Sequence, residues 1–134
     1  MTDDETDVDR VDRSEAADVC DRAADVILAN GWHQGALWPG RWPKPTEWTP
    51  GTPVCLVGSL RVAVGAVNGV STVSDWGNLP RALGAYDAVK AKLRETEPGP
   101  LTWDPAAWND HPERTADEVI ETLRQTAKTL REDA

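Results

Sequence analysis

Phenylalanine is absent from the sequence and tyrosine occurs once, so the seven tryptophans are nearly its only aromatic side chains. Long apolar runs are also missing, and stretches such as Val54–Val57 are far shorter than the roughly 20 residues that span a bilayer. This excludes a transmembrane helix. The first residues are acidic, whereas a secretory signal starts with basic ones, so we expect a cytoplasmic protein with no membrane association.

Cysteine and histidine are scarce. Cys20 and Cys55 are the only cysteines, and both are predicted to lie on apolar helix faces. In a cytosolic protein such a pair is usually reduced and buried. A disulfide would require their Cα atoms to lie within about 7 Å. His33 and His111 are the only histidines, and no two of these four residues have the spacing of zinc ligands. The sequence therefore predicts neither a metal nor a cofactor.

Basic residues are outnumbered, with 14 Lys and Arg against 23 Asp and Glu, which gives a formal charge of −9. This charge repels phosphate backbones, so we expect no direct binding to nucleic acid. Residues 1–13 are especially acidic and are predicted to be a disordered tail before one helical domain at 14–134. In an alternative interpretation the tail mimics nucleic acid and inhibits a basic partner.

Apolar spacing predicts a mainly α fold, a single-domain bundle of four or five helices. The first helix is expected to start at Ser14 and to stop at Asn30-Gly31, where Trp32 covers its end. The residues predicted to form its buried stripe are Ala16, Ala17, Cys20, Ala23, Ala24, Ile27 and Leu28.

Three later segments also carry helix signals. One helix is predicted at Leu79–Glu95 with Pro80 in its first turn, and Asp104-Pro105 starts a short turn of helix that bears Trp108. A Thr115–Glu118 capping box opens the last helix. Segment 54–73 is ambiguous: the spacing of its leucines favours a helix, whereas an Asn-Gly pair allows a hairpin at 60–74 and an α+β fold.

A long Trp/Pro-rich loop is predicted at 32–53. It holds four tryptophans and five prolines, so it is neither helix interior nor central strand. Long loops of this kind are often functional, and Trp and Arg are enriched at the centres of protein interfaces. The loop therefore either packs as a lid over the core or binds a protein partner. The residues predicted to anchor that partner are Trp38, Arg41, Trp42 and Trp48.

Motifs for enzymatic chemistry are missing: there is no nucleophile elbow, no Cys-His signature and no Walker loop. One polar group stands out, Gln34 with Asn109 and Asp110, all near tryptophans at predicted helix ends. These side chains either satisfy backbone donors at helix ends or line a small ligand pocket floored by Trp32 and Trp108. The pocket would suit a small enzyme or a ligand-binding protein.

Three motifs resemble a family of small uncharacterised proteins of actinobacteria and their phages. They are Gly31-Trp32-His33-Gln34-Gly35, Cys55-Leu56-Val57-Gly58-Ser59-Leu60, and Trp108-Asn109-Asp110 followed by Arg114-Thr115 and Glu118-Val119-Ile120. The resemblance covers 14–130 and implies a compact, mostly helical domain without a known activity. The acidic tail and the density of tryptophan in the loop depart from the family pattern. We expect a non-enzymatic protein-interaction module of a bacterium or phage, with its oligomeric state left open.

Overall fold

Five α-helices make up most of the described structure, a computed structural model that covers residues 3–35, 50–64, 80–97 and 104–132. Within these ranges there is no strand, and the isolated extended pairing is a parallel bridge between Trp32 and Val54. The predicted mainly α single-domain fold is confirmed. None of the helices in these ranges is long and apolar enough to cross a membrane. The helices are α1 (Asp3–Asn30), α2 (Leu56–Ala63), α3 (Pro80–Thr96), α4 (Pro105–Asn109) and α5 (Ala116–Glu132).

The start of α1 differs from the prediction. The helix begins at Asp3 and not at Ser14, so residues 3–13 are helical in the structure, where a disordered tail was predicted. This stretch contains neither glycine nor proline. Extending an already formed helix needs no new nucleation, so an acidic composition alone does not stop it.

The end of α1 is where the sequence predicts it. Gly31 has a φ of +99°, and its N–H donates to the carbonyl oxygen of Ile27 at 2.8 Å. Trp32 is half-buried against the core. The predicted buried stripe of α1 is confirmed except at Leu28, which is 62% exposed. Leu28 lies at the edge of the stripe, where its side chain faces outward.

Helix α2 begins after Cys55, whose thiol was expected on an apolar helix face. Cys55 is instead the N-cap, and its Sγ accepts a hydrogen bond from the Gly58 N–H at 3.2 Å. Leu60–Ala63, the first part of the alternative hairpin at 60–74, is helical, which favours the helix prediction for this segment. The rest of that segment, from 65 onward, lies outside the described residues.

The last three helices lie where the sequence predicts them. Helix α3 begins at Pro80, which was predicted in its first turn, and Leu79, the predicted first residue, lies outside the described residues. The Asp104 carboxylate caps α4 by accepting from the Ala106 N–H at 3.0 Å. At α5 the capping box is reciprocal: the Thr115 Oγ1 accepts from the Glu118 N–H at 3.2 Å, and the Glu118 Oε1 accepts from the Thr115 N–H at 3.0 Å.

The core lies between α1 and the faces of α2, α3 and α5 that pack on it. Cys20 and Cys55 are buried and free, as expected for reduced core cysteines. Burial raises the pKa of the Cys20 thiol to about 12 and that of Cys55 to about 11. Both thiols are therefore protonated at neutral pH and are poor nucleophiles.

An ion-pair network fixes the direction of α5 on α1. Arg131 binds Asp18 at 2.9 Å and also Asp21, while Arg124 binds Asp21 at 3.0 Å and Asp25 at 2.6 Å. Burial alone would raise the pKa of Asp21, but the hydrogen bonds from Arg131 and Arg124 outweigh it and lower that pKa. Exposed ion pairs stabilise by only about 0–1 kcal/mol each, so the network chiefly selects the antiparallel register.

Alanine substitutions at two glycines should change the free energy of unfolding in opposite directions. Gly31→Ala places a side chain at φ +99°, and we expect the free energy of unfolding to fall by about 1–2 kcal/mol. Gly84→Ala in α3 places a Cβ 3.8 Å from the Ala16 Cβ, which is an ordinary van der Waals distance. We expect this substitution to raise the free energy of unfolding by about 0.5–1 kcal/mol. Urea denaturation measures both, and a Gly31→Ala variant as stable as the wild type would contradict the assigned helix stop.

Candidate functional site

Both ends of the predicted Trp/Pro loop are held together, and we call residues 31–35 and 50–55 the loop base. The His33 N–H donates to the carbonyl oxygen of Val54 at 3.0 Å, and the Val54 N–H donates to that of Gly31 at 3.1 Å. Val54 is fully buried. The chain thus leaves and returns at one point beside the core.

The side-chain amide of Asn109, at the end of α4, lies at the centre of this base and is fully buried. Its Oδ1 accepts from the Trp32 indole N–H at 2.7 Å and from the Leu56 backbone N–H at 3.0 Å. Its Nδ2 donates to the His33 carbonyl oxygen at 3.1 Å and to the Asp110 Oδ1 at 3.0 Å. One side chain therefore joins the start of the loop, the start of α2 and the end of α4.

Gln34 and Asp110 extend the same network at the surface. The Gln34 Nε2 donates to the carbonyl oxygens of Asn109 at 3.0 Å and His111 at 2.9 Å. The Asp110 Oδ1 also accepts from the Gly35 N–H at 2.9 Å. The structure thus brings together Gln34, Asn109 and Asp110, as the sequence suggested, and their contacts run to the loop base.

On the returning side of the loop a second asparagine acts similarly. The Asn30 Oδ1 accepts from the Gly51 N–H at 2.6 Å, and its Nδ2 donates to the Val26 carbonyl oxygen at 2.8 Å. Asn30 thereby ties the return of the loop to the last turn of α1. Two asparagine amides, one on each side, clamp the base.

Trp108 occupies a different environment from Trp32. It is 3% exposed, its indole N–H donates to the Glu97 Oε1 at 2.8 Å, and the Arg114 guanidinium stacks 3.9 Å from the ring centroid. The Arg114 Nε also donates to the Trp108 carbonyl oxygen at 3.0 Å. The ring therefore packs in the core and under a cation.

The predicted partner anchors Trp38, Arg41, Trp42 and Trp48 lie outside the described residues. His111 is exposed, and its Nδ1 accepts from the Glu113 N–H at 3.2 Å, which serves the local turn. In the part of the chain that the structure describes, no group of three His, Cys, Asp or Glu side chains has the arrangement of a metal site.

Asn30 was predicted as part of the Asn-Gly helix stop but not as a clamp of the loop base. Arg61 of α2, a charged residue that is fully buried, was not predicted to lie in the core. The Asn30 clamp has a local signal, since an asparagine at a helix end commonly bonds nearby backbone groups. Arg61 has none, because its neighbours along the helix do not distinguish it from an exposed arginine.

The structure describes a small helical bundle in which residues 31–35 and 50–55, the loop base, are held together beside the core. Residues 12–129 match the family of unknown function DUF6197, and the chain belongs to that family. Comparison with curated proteins and comparison with solved structures each gave no match.

The bond between Trp32 and Asn109 can be measured by a double-mutant cycle. Asn109→Ala leaves the Trp32 indole and the Leu56 N–H without their acceptor, so we expect the free energy of unfolding to fall by about 2–4 kcal/mol. Trp32→Phe removes one donor and keeps a ring. The double variant should lose less than the sum of the single losses, by about 1 kcal/mol. Strictly additive losses, or an Asn109→Ala variant of unchanged stability, would contradict the assigned bonds.

Proposed function

We propose that this protein is a non-enzymatic interaction module that binds a protein partner through its Trp/Pro loop, with Trp38, Arg41, Trp42 and Trp48 as the anchors. The observation that supports this most is the clamped base, where Asn30 and Asn109 hold the two ends of the loop to the bundle. A loop with fixed ends loses less conformational freedom on binding than a free segment of the same length. The resemblance noted in the sequence suggests a bacterium or phage, and we propose a cytoplasmic location.

The competing proposal is a small enzyme or ligand-binding protein with a pocket at Gln34, Asn109 and Asp110. A ligand in this pocket would require side-chain donors or acceptors that are not already used in hydrogen bonds within the protein. The Asn109 amide already accepts two hydrogen bonds and donates two, and the Gln34 Nε2 donates to two carbonyl oxygens. This arrangement favours a role in holding the loop over a role in binding a ligand.

Affinity capture from a lysate of the native host, followed by quantitative mass spectrometry, tests the interaction module. We expect wild-type protein to enrich a specific partner and a Trp38→Ala, Trp42→Ala variant to lose it. Leu28→Ala is the matched control, because it removes an exposed apolar side chain from α1 and leaves the four proposed anchors in place. Deletion of 1–12 tests the second alternative, in which the acidic N-terminal residues mimic nucleic acid.

The outcomes separate the proposals. Loss of the partner in the tryptophan variant alone supports the loop, and loss in the deletion alone supports the acidic mimic. A partner retained by both variants would contradict both of these proposals. Iodide quenching is an independent check: if every indole of the free protein is shielded, the loop tryptophans do not form a binding surface.

A further inference from the structure

We propose that Asn109 makes closure of the loop base and formation of the first turn of α2 a single event. The two parts then open and close together, whatever the loop binds. Asn109 is a positioning residue in this proposal, acting through the groups that it holds.

One atom carries the connection. The Asn109 Oδ1 accepts both from the Trp32 indole at 2.7 Å, in the loop base, and from the Leu56 N–H at 3.0 Å, in the first turn of α2. A movement of the amide that breaks one bond displaces the acceptor of the other. Since Asn109 is fully buried, water does not replace the lost partners unless the site opens.

The chain itself joins the same two parts. Val54 pairs with Gly31 and His33 in the loop base, and the next residue, Cys55, caps α2. The Cys55 carbonyl oxygen accepts from the Ser59 N–H at 2.8 Å, and its Sγ accepts from the Gly58 N–H at 3.2 Å. Moving Val54 therefore moves the cap.

Helix α2 is short, with 8 residues, and so depends on such contacts. Helices shorter than about 12–15 residues are marginal on their own in water, because nucleation is unfavourable. Loss of its cap and of the bond at Leu56 removes the groups that start it. Opening of the base is thus expected to loosen the first turn of α2.

Amide hydrogen exchange tests the coupling, with reporter N–H groups that do not themselves bond to Asn109. His33 and Val54 report on the loop base, and Gly58 and Ser59 report on the first turn of α2. In Asn109→Ala we expect exchange at all four to accelerate by at least about tenfold, and by similar factors. Acceleration in only one of the two groups would overturn the proposal.

Asn30→Ala is the matched control, since it removes the other clamping amide. It should accelerate exchange at Gly51, whose N–H bonds to the Asn30 Oδ1. The pairing of Val54 with Gly31 and His33 does not involve Asn30, so exchange at His33, Val54, Gly58 and Ser59 should stay unchanged. If Asn30→Ala accelerates Gly58 and Ser59 as strongly as Asn109→Ala does, Asn109 is not the coupling residue and the proposal fails.

Trp32→Phe serves if Asn109→Ala does not fold. It removes one donor to the same Oδ1. Exchange at His33, Val54, Gly58 and Ser59 should then accelerate together by a smaller factor, roughly fivefold. Faster exchange at His33 and Val54 with Gly58 and Ser59 unchanged would again overturn the coupling.

Discussion

The buried amide of Asn109 holds together three parts of the chain that are far apart in sequence. Trp32 lies 77 residues before it and Leu56 lies 53 residues before it, yet both donate to the same oxygen. Buried polar groups are costly unless they are paired, so this site is stable only when the loop base, α2 and α4 are all in place. The geometry of the loop base follows from this requirement.

The rest of the bundle provides a rigid support for that site. Helix α1 contributes its apolar face to the core. Its aspartates at 18, 21 and 25 form ion pairs with Arg124 and Arg131 of α5. Its last turn then supplies Asn30 for the second clamp. Helix α1 therefore sets both the register of α5 and the position where the loop returns. The loop base is thereby attached directly to the bundle.

Local signals in the sequence were sufficient for three of the helix ends. The Gly31 stop, the Asp104 cap and the Thr115–Glu118 capping box each depend on residues within one turn, and the structure contains all three. Contacts between segments that are far apart in the chain have no comparable local signal in the sequence. That Gln34, Asn109 and Asp110 belong together could be suggested from their types and neighbours, but their actual partners are mostly backbone groups, which carry no sequence signal.

Three differences have physical causes that a helical pattern does not express. Leu28 fits the spacing of the buried stripe, yet the width of that stripe depends on how far the neighbouring helices reach. Cys55 was placed on a helix face because it is apolar, whereas α2 begins one residue later and uses its sulfur as a cap. The acidic residues at 3–13 suggested disorder, but they continue a helix that is already packed.

The hydrogen bond between the Trp32 indole and Asn109 is the most direct point at which to test this account. Solvent exchange of the Trp32 indole N–H, followed by nuclear magnetic resonance on the native protein, measures it. We expect this proton to exchange far more slowly than that of an exposed indole, because the Trp32 Nε1 lies 2.7 Å from a buried acceptor, the Asn109 Oδ1. Exchange at the rate of a solvent-exposed tryptophan would contradict the clamped loop base.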